Sequence, residues 1–202
     1  MQGGKRLAAN GVNTETEYPN IDTLIPQILP LYPRAGRWYR CGLHIQWAHA
    51  LASINKLITA PLCFSRDTTI TDIGIAVEVA AAAGGVARLG IYTNSANGTV
   101  YPDKLIVDSG EIVTSTTGFK IITLANPITL PAGTIVWLVS LFGVASPNCW
   151  YGSTQQNTFG ADNPKAQGTG SYRADMIYGP LPAIFPLETN ETEWNITAVK
   201  VG

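Results

Sequence analysis

A chain of 202 residues with a net charge of −1 has room for one domain with a sizeable core, and it lacks the concentrated Lys and Arg that nucleic-acid binding needs. Charged residues make up only 13%, about half the roughly 25% usual for soluble domains. The polar remainder is mostly Thr, Ser, Asn and Gln, which suit strand faces and tight turns, and so few charges would repel neighbouring subunits weakly.

No run of 18 apolar residues occurs, so a membrane-spanning helix is not expected. Met1 to Arg6 is followed by no apolar signal-peptide core, which points to synthesis in a cytoplasm. Three cysteines, Cys41, Cys63 and Cys149, show no metal-ligand spacing and are expected as reduced, buried small side chains. His44 and His49 lack further ligands nearby and are expected to be structural. No metal or cofactor is expected.

Residues 1–35 differ from the rest. Pro19, Pro26, Pro30 and Pro33 punctuate Ile21, Leu24, Ile25, Ile28, Leu29 and Leu31. Prolines at that density oppose a helix, while the aliphatics are too many for a solvated tail. The segment is expected to be an extended assembly arm whose six aliphatics pack on another subunit, leaving 36–202 as the folded domain.

From residue 36 onward the pattern is strand, turn, strand. Leu57 to Phe64 is an apolar stretch in which Pro61 signals a sheet edge or bulge. Thr68 to Val79 alternates with period two, so Ile73, Ile75, Val77 and Val79 share a buried face. Ala80 to Gly85 forms a turn, and in the next strand Ala87, Leu89 and Ile91 oppose Val86, Arg88, Gly90 and Tyr92. Asn97-Gly98 is a turn signal. Further strands are expected at Leu105–Val107, Gly110–Thr114, Phe119–Leu124 and Thr134–Phe142, with turns at Asn126-Pro127 and Pro131-Ala132-Gly133. The run Ile135 to Phe142 is almost wholly apolar and is expected to be the central strand, with Ile135, Trp137 and Val139 in the sandwich core. Residues 145–170 read as a long polar excursion, and 195–201 as a closing strand. Short strands at this spacing without amphipathic helices predict an all-β fold, an antiparallel jelly-roll β-sandwich.

The search for chemistry finds no GxSxG, HExxH, phosphate-binding loop or dinucleotide loop. The carboxylate pairs Asp103/Asp108 and Glu191/Glu193 have spacings that arise by chance among 14 acidic residues. Aromatics are more informative. Trp150 and Tyr151 precede Gln155, Gln156 and Asn157, so stacking surfaces and amide groups for sugar hydroxyls fall within eight residues. These five are the candidate glycan-binding residues. Trp38 and Trp137 are expected to serve the core.

The stretch Gly85-Val86-Ala87-Arg88-Leu89-Gly90-Ile91-Tyr92, then Tyr101-Pro102-Asp103-Lys104-Leu105-Ile106-Val107-Asp108-Ser109-Gly110, then Thr114-Ser115-Thr116-Thr117-Gly118 and Leu130-Pro131-Ala132-Gly133-Thr134-Ile135-Val136-Trp137-Leu138, resembles a jelly-roll module of tailed-phage virion proteins. The resemblance covers roughly residues 55–145. It implies a virion structural protein of the tail-fibre or receptor-binding kind, assembling with other virion subunits as a homotrimer and binding a host-surface glycan. The alternative it implies is a capsid decoration or cement protein whose arm clamps neighbouring capsid subunits. A glycan hydrolase ranks third, and no catalytic residue is carried over.

Overall fold

The computed structural model describes residues 31–40, 46–96, 100–153, 171–186, 190–191 and 197–202. The regular elements among them are strands: β1 (Trp38–Tyr39), β2 (Gln46–Leu51), β3 (Lys56–Cys63), β4 (Thr68–Val79), β5 (Val86–Asn94), β6 (Pro102–Asp108), β7 (Ile112–Val113), β8 (Gly118–Leu130), β9 (Ile135–Gly143), β10 (Asn148–Ser153), β11 (Ser171–Asp175), β12 (Asn190–Glu191) and β13 (Ala198–Val201). They pair antiparallel in two sheets that pack face to face, the β-sandwich that the alternating pattern predicts.

In the first sheet β4 is central. One edge carries β8. The other carries β13 against Ile70–Gly74 and β10 against Val77 and Val79, with β1 and β2 outside them. The second sheet runs β12-β11-β3-β9-β5-β6, with β7 also beside β5. Between the sheets lie Ile73, Ile75 and Val77 of β4, Leu89 and Ile91 of β5, and Val136, Leu138 and Phe142 of β9. The period-two faces of β4 and β5 are as expected except at Val79, which ends β4 beyond the sandwich core and is exposed.

Trp137 and Val139 are fully buried, but on the opposite face of β9 from the sandwich core. They join Leu57, Tyr92, Leu141, Ala174, Leu181 and Phe185 in a second cluster, against which Ile135 is partly buried. This explains the unbroken apolar run of β9. A strand covered on both faces cannot alternate with polar residues.

The cover over that outer face is the strap 176–186, held by tyrosines. The hydroxyls of Tyr92 and Tyr101 donate to the carbonyls of Pro182 and Pro186, each at 2.7 Å. The Tyr178 hydroxyl donates to the Ala87 carbonyl at 3.2 Å. Two glycines make the approach possible: a Cβ at Gly143 would sit 2.3 Å from the Tyr178 ring, and one at Gly90 would sit 2.4 Å from Leu181.

Two expectations about prolines need adjustment. Asn126-Pro127 is not a turn, because β8 runs through it with a register irregularity opposite Ile70–Asp72. An edge strand tolerates a residue without an amide hydrogen. Pro61 lies in β3, which has neighbours on both sides, but β11 covers only Lys56–Thr59. The Cys63 carbonyl accepts from the Leu31 amide on that same side. Backbone groups alternate along a strand, so Pro61 presents its nitrogen beyond the end of β11, where no ladder bond is forgone.

Leu31, counted with the arm, lies on its own domain: it forms a parallel bridge with Phe64, bonds to Cys63 and Ser65, and packs against the core. Ile21, Leu24, Ile25, Ile28 and Leu29 lie outside the described residues, as do Asn97-Gly98 and Cys41. Cys63 and Cys149 are buried thiols.

Candidate functional site

The outer face of the first sheet follows from the parity of β4. With Ile73, Ile75 and Val77 turned inward, Gly74 and Ala76 face out, paired across β8 with Ile121 and Phe119. On the other edge β13 begins opposite Gly74 and β10 reaches Val77. Among the described residues, no strand therefore pairs with Ile75 and Ala76 on that side. A cavity of about 710 Å³ opens at this break.

Its floor is small: Gly74, Ala76 and Ala198. Its walls are large: Trp38, Tyr39, Phe119, Ile121 and Trp150, with Leu31 and Arg40 at the margin. Gly74 is what brings one wall in, because a Cβ there would lie 3.3 Å from the Trp38 ring and 2.6 Å from the Lys120 carbonyl. The Trp150 indole N–H donates to the Glu78 carboxylate, which fixes the ring over the sheet. Tyr39 donates to the Tyr32 carbonyl at 3.1 Å, accepts from the Arg34 amide at 2.7 Å, and meets Phe64 edge-on. These contacts hold residues 31–40 across the open side of the sandwich.

Phe119 is 81% exposed, Ile121 49% and Trp38 39%. Large apolar side chains clustered at such exposure mark a contact surface rather than scattered surface residues. Arg40 is the one charged side chain among the described lining residues. Its charge favours the thiolate of nearby Cys149, yet burial dominates and pushes that thiol up to about 12. A thiol so placed is inert as a nucleophile at neutral pH.

Farther along the same face the buried Asp72 carboxylate accepts from Thr123 at 2.7 Å and Thr71 at 2.8 Å, with the Lys200 ammonium at 3.7 Å. The Thr123 hydrogen bond is the chief cause of its lowered pKa, and burial opposes it.

Of the five predicted glycan-binding residues, Trp150 lies at the cavity. Tyr151 is in β10 with its side chain outside the described set, and Gln155, Gln156 and Asn157 lie outside it altogether. Trp38, expected in the core, instead forms a cavity wall. Phe119 and Ile121 were missed as site residues. The signal for them was Gly74 and Ala76, small residues two apart within a strand of β-branched ones. Strand β10 itself was hidden inside a polar stretch without clean alternation. Asp108 is occupied structurally: it pairs with Arg88 at 2.8 Å and accepts from the Leu181 and Gly110 amides.

No family model matches the chain, and no curated protein matches it. Among solved structures it is similar to the cysteine protease and lectin-like domains of a surface-layer-associated protein of Clostridium difficile, with 14% identity and a TM-score of 0.45. The likeness covers 76% of this chain and 33% of that one, so this chain spans about a third of that protein's length. Similarity of that degree assigns no function.

Proposed function

We propose that this protein is a structural subunit of a phage particle, of the tail-fibre or receptor-binding kind, that holds a host-surface glycan in the cavity beside β4. The jelly-roll class expected from the sequence belongs to the same proposal. The observation that supports the ligand is the convergence of Trp38, Phe119 and Trp150 over a floor of Gly74, Ala76 and Ala198. The C–H face of a sugar ring needs an aromatic face to stack on and a shallow floor that lets it approach. The volume lies within the range of small-ligand sites, roughly 300–1,000 Å³. The described lining offers stacking surfaces and a guanidinium, a set suited to holding a ligand rather than cleaving it.

Titration with host-surface oligosaccharides, read by tryptophan fluorescence, tests this. Trp38→Ala should weaken binding roughly tenfold, the equivalent of about 1.4 kcal/mol, while leaving the circular dichroism unchanged. Equal binding by Trp38→Ala would remove the cavity from the reading. Recovery of shortened sugars would instead favour the hydrolase.

The decoration reading has one observation in its favour. Leu31 is fixed by backbone hydrogen bonds to Cys63 and Ser65, so the preceding aliphatic segment departs from a defined point on the domain. Such an anchor suits an arm that reaches a neighbouring capsid subunit.

A further inference from the structure

The two sheets treat their edges differently. Beside β6, the strap closes the second sheet: the Leu105 amide donates to the Ala183 carbonyl at 2.9 Å, and the Phe185 amide to the Asp103 carbonyl at 2.7 Å. The adjacent edge of the first sheet is β8, and none of the described residues covers it in that way. Among the described residues the backbone groups of β8 bond to β4 alone.

That edge is also long and lightly guarded. β8 has 13 residues, about 43 Å at roughly 3.3 Å each. From Gly118 to Thr123 it pairs with β4 without a bulge, and Pro127 lies outside that stretch. Lys120 is the single charge there, and its ammonium turns back to Thr116 and Thr117. Phe119 and Ile121 project outward at 81% and 49% exposure. Native edges are normally blunted by charge, proline, a bulge or a covering segment. Among the described residues Gly118–Thr123 has none of these beyond the tethered Lys120.

We infer that β8 is a subunit interface, and that its occupant is β8 of a second copy, paired antiparallel about a two-fold axis at Ile121. Charge decides between the two registers centred nearest the middle of Gly118–Thr123. Centring on Lys120 would set two ammonium-bearing chains opposite each other, which is unfavourable. Centring on Ile121 sets Ile121 against itself, Phe119 against Thr123, and Lys120 against Ile122. The outward faces then form one apolar strip. An isologous contact of this kind closes as a dimer, in place of the trimer that the sequence resemblance implies. It also sets the two cavities side by side, because Phe119 and Ile121 line both the cavity and the interface.

The test is made on the full chain, with mass and cross-linking as readouts that do not depend on any ligand. Light scattering should give a dimer, and Ile121→Lys should give a folded monomer. Under mild oxidation Ile121→Cys should yield a disulfide-linked dimer, since directly opposed residues lie about 4.5–5.5 Å apart between Cα atoms, within disulfide range. Phe119→Cys should not, because its two copies are offset by four residues, roughly 13 Å. The unsubstituted chain under the same oxidant sets the baseline. A monomer, a trimer indifferent to Ile121→Lys, or equal cross-linking at both positions overturns the inference. If Ile121→Lys does not fold, the cysteine pair decides.

Discussion

Asp72 shows how much a single side chain does on the outer face of the first sheet. It is buried within β4, between β13 and β8, and hydroxyls from Thr71 and Thr123 and the Lys200 ammonium compensate its charge. A carboxylate that accepts hydrogen bonds in the native state is held ionised there, so its native pKa lies below the unfolded value of about 3.9. Its contribution to stability is therefore complete above roughly pH 4 and is lost as pH falls through the lowered native pKa. Asp72→Asn should cost on the order of 1 kcal/mol at neutral pH. In thermal melts the gap between the two proteins should narrow as the pH is taken below about 4. A gap that stays constant through that window would mean the ionised form carries no special weight. Gly74, two residues on, works by absence, because its missing side chain is what lets Trp38 lie against the strand.

At the scale of elements, the strap 176–186 turns what would be the bare outer face of β9 into a second core. Its attachment depends on tyrosines in their protonated form. Burial, reinforced by the nearby Glu111, pushes Tyr178 up to about 12, and burial with Asp108 raises Tyr92 further. A raised acid pKa contributes stability that is present below the unfolded value of about 10 and is lost as pH rises through the native one. The strap should therefore loosen above roughly pH 10, giving a tyrosinate absorbance change that lags free tyrosine. It should be accompanied by faster amide exchange at Leu105, whose partner is the strap carbonyl of Ala183. Tyrosinate appearing at the free-tyrosine midpoint would show that the strap does not shield these rings.

At the scale of the whole molecule, one layer of apolar side chains lies between the sheets, a second lies under the strap, and an aromatic-walled cavity opens on the far side. The arm completes the picture proposed for the particle. Deleting residues 1–30, and so keeping Leu31 with its bonds to Cys63 and Ser65, should leave a folded β domain by circular dichroism. That domain should have lost attachment to the particle, measured by co-sedimentation. Attachment that survives the deletion would reduce the arm to a tether.

The all-β class, the β5 face, the β4 face from Ile73 to Val77, the turns at Ala80–Gly85 and Pro131–Gly133, and the burial of Trp137 were legible in the sequence. Each depends on neighbours two to six residues apart, and local alternation and turn chemistry act over that range. Three things were decided only by tertiary structure. Trp137 and Val139 face away from the sandwich core because a strap some 40 residues later in the chain covers them. Pro127 sits inside a strand because that strand is an edge. Trp38, Phe119 and Trp150 meet because β8 pairs with Gly74 and Ala76 on one side of β4, while β10 and β1, the latter beyond β13, stand on either side of the break opposite. A sequence pattern reports which side chains share a face of one strand. Which strands become neighbours is set by packing between residues distant in the chain, and local periodicity carries no record of it.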